Sequence, residues 1–341
     1  VTVEGDTSVS SGKTTLGANV TQGTIAVESG AELENNGLLT ITGQVTNSGT
    51  ITSLANKIIA GDGIENNNVL NLTGGANDNA ITGTGTTYFS NTSTNNETIS
   101  QDVENSGTLT NNSLISGGFT NSGTATSTAN NLGGEIVNTG DLNLSGTLAK
   151  NVSGNGTTKL NTALTLNSGA GIAGILDMNS GELTVSSGAV TSHNVGTLSG
   201  SGYINIDVDY SDTSNITADM ITAAVYGSGT LTIKSIEETG VRADNFDVRI
   251  LGGTNTNLTL ALSEGVLEQF NDVSQSTNEY DEDIQSASIW DDVYKHHNVV
   301  TTVTKDLSVL NNTTLHYTTT SNDVDTQTSL GDTLKLVNRL E

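Results

Sequence analysis

The sequence predicts an all-β chain whose short strands stack as the parallel coils of a β-solenoid, and three observations predict it. A turn phrase recurs as Asn105-Ser106-Gly107-Thr108-Leu109, Asn121-Ser122-Gly123-Thr124-Ala125 and Asn138-Thr139-Gly140-Asp141-Leu142, at steps of 16 and 17 residues. Apolar residues alternate in short runs such as Leu142-Asn143-Leu144, Leu164-Thr165-Leu166 and Leu183-Thr184-Val185. Proline is absent, so every backbone N–H is available to a ladder. The step is too long for a tight hairpin and too short for a βαβ unit, whose crossover alone takes about a dozen residues. It suits one coil of a solenoid, which cannot bury its own apolar face and gains stability by stacking on the next coil at about 4.8 Å.

The phrase itself reads as a corner. Asn and Gly both tolerate positive φ, Asn hydrogen-bonds its own backbone, and Thr-Leu then opens a pleated strand with one residue turned inward. Asparagines at equivalent corners would form amide ladders inside the coil, satisfying side-chain donors and acceptors that are costly to bury unpaired.

Along the chain, Thr24-Ile25-Ala26-Val27, Leu38-Leu39-Thr40-Ile41 and Thr50-Ile51-Thr52 are strands separated by Ser29-Gly30, Asn35-Asn36-Gly37 and Asn47-Ser48-Gly49. Corners this frequent place strands on several sides of each coil, with roughly 20 residues per coil. Between 61 and 100 the rhythm loosens, and the polar run Asn91 to Asn96 reads as a loop leaving the stack or a plain surface turn. From 101 to 200 the phrase is densest and continues through Asn155-Gly156-Thr157 and Asn167-Ser168-Gly169.

A different texture begins at Ser199. Gly200-Ser201-Gly202-Tyr203-Ile204-Asn205-Ile206-Asp207-Val208-Asp209 leads to Thr217-Ala218-Asp219-Met220-Ile221, and then to Gly227-Ser228-Gly229-Thr230-Leu231-Thr232-Ile233. This succession resembles the carboxy-terminal part of the β-helical passenger domains of bacterial autotransporters. With the upstream phrases, the resemblance spans about residues 1–262. It implies a right-handed parallel β-helix, exported across two membranes and either displayed on a Gram-negative cell surface or secreted. The alternating, aromatic-edged strands of a membrane barrel are not seen, so anchoring would depend on a translocator beyond Glu341.

The expected organisation is a parallel β-helix over 1–262, an acidic non-repetitive insertion or loop over 263–298 that is part helical, and C-terminal strands over 299–341 acting as a cap or as continued coils. Glu264 to Phe270 reads as a helical turn. Glu279 to Trp290 reads as an acidic helix with Ile284, Ile289 and Val293 on one side. The start at Val1, without Met or an apolar leader, reads as processed or trimmed.

Charge and composition narrow the chemistry. Against 37 acidic residues stand 11 basic ones, a net charge of −26 that repels nucleic acid and anionic lipid surfaces. Without cysteine there is no disulfide framework, thiol nucleophile or thiolate metal site. No apolar run approaches the ~20 residues of a spanning helix.

Two constellations invite chemistry. Glu279, Asp281, Glu282 and Asp283 precede Trp290, Asp291, Asp292, Tyr294, His296 and His297, but their spacing matches no metal motif and adjacent histidines on a strand face opposite ways. They read as a solvated acidic loop. Asp207 and Asp209, at i and i+2, share one face of a strand about 7 Å apart, a separation within reach of glycosidase chemistry.

No catalytic, cofactor-binding or metal residue is nominated, and no cofactor is expected. The expected function is an adhesin that binds host or bacterial surface glycans or proteins, or its own copies, along a long polar flank. The alternative is a β-helical polysaccharide lyase or glycosidase.

Overall fold

The computed structural model describes residues 5–185, 188–255, 257–284 and 293–329. Its body is a β-solenoid of about ten turns in which successive coils pair parallel. The inward residues form unbroken columns. One column runs Ile25, Val45, Ile64, Ile81, Ile99, Ile115 and Leu132, each in register with the next. A second begins Leu33, Ile51, Leu70, Thr87, Val103, Phe119 and Ile136. All of these side chains are buried, and each large apolar one contributes about 1.5–3 kcal/mol of transfer free energy. The narrow core explains how a chain with 33% hydrophobic residues folds: each coil supplies only a few, always at the same places.

A coil takes 16 residues between Ile99 and Ile115 and 20 between Ile25 and Val45, close to the expected 20. It widens later, to 23 between Ile172 and Val195 and 28 between Val195 and Ala223. The added residues lengthen strands, as in Thr157–Leu166, Gly202–Asp209 and Gly229–Thr239, and form the excursion after Asp209, where Thr217–Ala218 folds back antiparallel on Val208 and Asp209.

The corners carry the amide ladders. Asn105 Nδ2 donates to Asn121 Oδ1 at 2.7 Å, and Asn121 Nδ2 to Asn138 Oδ1 at 2.8 Å. A second ladder runs Asn77, Asn95, Asn111 and Ser127 at 2.9, 2.8 and 3.0 Å. Each rung is satisfied further by backbone. Asn121 Nδ2 also donates to Asp141 O, while Asn105 Oδ1 accepts from Gly107 N within its own turn. These amides are buried, so the pairing removes a desolvation cost of about 1–3 kcal/mol for each polar group otherwise stranded.

Two expectations are corrected. The run Asn91 to Asn96 does not leave the stack: Thr92–Asn95 is a strand paired on both sides, with Ser93 and Asn95 turned inward. Its lack of apolar residues hid it, because the inward positions here are Ser93, whose hydroxyl donates to Ser90 O, and Asn95, a rung of an amide ladder. Whereas Gly169 of a later copy of the phrase adopts positive φ, at 83°, the Asn and Gly of the three densest copies do not: Asn105, Asn121, Asn138, Gly107, Gly123 and Gly140 all lie outside that region. Their glycines serve close approach between coils instead. A Cβ on Gly123 would sit 2.1 Å from Gly107 O, and one on Gly140 would sit 2.1 Å from Gly123 O.

Parallel stacking ends at Leu258–Leu262. The helix Glu264–Phe270 follows, with Ser263 Oγ accepting from Val266 N as its N-cap. Three long strands, Asp272–Ile284, Val293–Leu310 and Thr314–Ser329, then form an antiparallel sheet whose far edge is Phe246–Arg249 from the last coils. Residues 299–329 therefore pair antiparallel rather than continuing the coils.

The helix expected over Glu279 to Trp290 is replaced by strand as far as Ile284, and Ile289 and Trp290 lie outside the described residues. Like charges at Glu279 and Asp283 would repel across one helical turn, whereas the strand register sets Glu282 opposite Lys295, of opposite charge.

An aromatic knot joins cap to solenoid. Tyr210 and Phe246 have ring centroids 5.2 Å apart, Phe246 and Tyr317 5.2 Å, and Phe270 and Tyr317 5.9 Å. The Arg242 guanidinium lies 3.8 Å over the Phe270 ring and is clamped by both oxygens of Glu238.

Candidate functional site

Strand alternation sends every second residue outward, so stacking in register writes polar rows along the solenoid. The strands Thr92–Asn95, Thr108–Asn111 and Thr124–Thr128 present Thr92, Thr108 and Thr124 in one outward row and Thr94, Thr110 and Thr126 in the next. Along an adjoining corner, Asn112 Nδ2 donates to Asn96 Oδ1 at 2.9 Å and Asn96 Nδ2 to Asp78 Oδ1 at 2.7 Å, an exposed counterpart of the inner ladders.

The paired carboxylates are otherwise engaged. Asp207 Oδ2 accepts from Gly188 N at 2.8 Å and Asp209 Oδ1 from Ser211 N at 2.8 Å, so each holds a neighbouring turn. Burial pushes the Asp207 carboxyl above its ordinary range, while the Ser211 hydrogen bonds hold Asp209 below it.

Asp207 belongs to a buried cluster that the sequence did not reveal. Asp219, with no solvent exposure, accepts from Asp207 N at 2.8 Å and from Thr191 N at 2.6 Å. Thr191 Oγ1 lies 3.3 Å from that carboxylate and 3.0 Å from His193 Nε2, and His193 Nδ1 meets Ala170 O at 2.7 Å. Burial raises the Asp219 carboxyl to about 7, and the neighbouring Asp207 charge acts in the same direction. The available signal was parity: in Ser192–Ser199, His193 shares the inward face with Val195.

Within the acidic stretch the strands set Asp281 opposite His296, Tyr280 opposite His297 and Glu279 opposite Asn298. Asp291 and Asp292 lie outside the described residues, as does Trp290. Among the described residues no group of His, Asp and Glu converges as metal ligands. No helix there is long and apolar enough to cross a membrane.

The class defined by the fold is a parallel β-solenoid followed by an antiparallel sheet, and the β-helical fold is shared by autotransporter passengers and by polysaccharide-active enzymes. Comparison with models of known families and with curated proteins finds no match to this chain.

Proposed function

We propose that the chain is the exported passenger of an autotransporter-type adhesin, displayed on a Gram-negative cell or secreted, and that it attaches to host or bacterial surfaces by its polar flank. The observation that carries this reading is the register of the outward rows: equivalent Thr and Asn side chains recur at about 4.8 Å along a rigid body on the order of 50 Å long. A rigid array of equivalent weak contacts gains avidity once the first is made, because the rest become intramolecular. Asp207 and Asp209, the carboxylates of the enzymatic alternative, are occupied by backbone amides, which favours binding over catalysis.

The test is attachment of beads coated with the purified chain to epithelial and bacterial cells. Attachment that persists in high salt is expected, because the rows are largely uncharged and charge screening would not loosen them. Failure to attach, together with polysaccharide cleavage that is lost in Asp207→Asn, would replace this reading by the enzymatic one.

A further inference from the structure

The threonine face is distinctive in its neutrality and in its unused hydroxyls. In a chain of net charge −26, three successive rungs present Thr92 and Thr94, Thr108 and Thr110, Thr124 and Thr126, with no charge among them. Among the described residues, the hydroxyls of Thr92, Thr94, Thr108, Thr110 and Thr124 have no hydrogen-bond partner; only Thr126 Oγ1 is engaged, accepting from Asn143 Nδ2 at 3.3 Å. The rows continue into Asp141 and Asn143, then Thr157 and Lys159, where Lys159 Nζ and Asp141 Oδ2 pair at 3.3 Å. Five rungs cover about 19 Å along the axis, with the two rows about 6.6 Å apart.

We infer that this face binds an uncharged, extended β-linked glycan lying along the solenoid axis, its hydroxyls meeting the threonine rows. The inference rests on the adhesive reading and gives it a ligand class. A hydroxyl both donates and accepts, so a row of threonines matches sugar hydroxyls in either sense, and the threonine methyl beside each hydroxyl suits the C–H face of a sugar ring.

Other occupants fit less well. Anionic polymers are repelled by the net charge. The three threonine rungs offer a protein partner no aromatic or arginine anchor. An ice lattice needs the array to continue unbroken, whereas here it gives way to Asp141, Asn143 and Lys159, which suit charge-assisted bonds to sugar hydroxyls.

The experiment measures depletion of the full chain by cellulose, chitin and soluble neutral β-glucan. Compared with it are the double variant Thr108→Val with Thr110→Val, which removes hydroxyls at constant shape, and the pair Thr108→Glu with Thr110→Glu. Thr120→Glu, on the adjoining side of the coil, is the control. Binding by the native chain is expected to fall at least tenfold in both double variants and to change less than twofold in the control. Equal binding by the double variants, or no binding to any neutral glycan, overturns the inference. If the native chain still attaches to cells in that case, the adhesive reading stands without the glycan; if it does not, both fall. Faceting of ice crystals that is lost in the valine variant, with no glycan binding, would assign the face to ice and overturn the glycan.

Discussion

Asp219 shows how much one buried carboxyl governs. Its raised value, about 7 against an ordinary 3.8, means that the native state holds a proton which the unfolded chain releases between those limits. The stability linked to this group is complete below about pH 4 and is lost as pH rises through 7. Asp207 shifts the same way, and Glu237 and His193 are the other titratable groups close to the cluster. Relief of self-repulsion on acidification also favours the fold at low pH, so a variant is needed to separate the two. Urea unfolding should show the native chain losing about 2 kcal/mol between pH 5 and pH 8 through Asp219, and Asp219→Asn should flatten that part of the profile. An unchanged slope in the variant would assign the whole effect to net charge. The cluster was not legible because Asp219 and His193 are 26 positions apart and meet only through the stacking of their coils, His193 opposite Ile221.

At the scale of the element, the Asn-x-Gly phrase was read correctly as a corner and for partly the wrong reason. Its asparagine does hydrogen-bond its own turn, and the expected ladders are present. At Gly107, Gly123 and Gly140 the glycine is required by the neighbouring coil, a demand that appears only once coils are stacked, whereas Gly169 meets the positive φ first expected. Gly123→Ala should therefore destabilise the fold by about 1–3 kcal/mol, because the new methyl meets a backbone oxygen that cannot turn aside. Gly17→Ala, with no atom near its Cβ and no positive φ, should stay within about 0.5 kcal/mol of the native chain. Equal effects in urea melts would return the explanation to backbone dihedrals. Strands such as Leu142-Asn143-Leu144 were legible because the inward residues are apolar. Thr92–Asn95 was not, because a serine and one rung of an amide ladder take the place of apolar residues and composition alone then resembles a loop.

For the whole molecule, the failure of the repeat at Glu264 and a C-terminal cap of strands were legible, whereas the antiparallel pairing of those strands with the last coils was not. Phe246–Arg249 pairs with residues near Thr314, and a contact across so long a stretch of chain leaves no period to read. The two parts differ in how they hold together. Each coil rests only on its neighbours, so stability along the solenoid is the sum of local terms, while the cap is fastened by the ladder between Phe246–Arg249 and Thr314 to Tyr317 and by the aromatic knot. Phe270→Ala removes a ring packed against Tyr317 and beneath Arg242, a loss of about 3–5 kcal/mol for a buried phenylalanine. In amide hydrogen exchange that loss should be confined: protection should drop at Leu307, Leu315 and the last coil near Leu260, and remain intact at Leu109 and Leu142 in the middle of the body. With its end uncovered, the terminal coil offers unpaired strand edges, and the variant should associate at concentrations where the native chain does not. Uniform loss of protection from Leu109 to Leu315 would instead make solenoid and cap one cooperative unit, and nearest-neighbour stacking would no longer describe its stability.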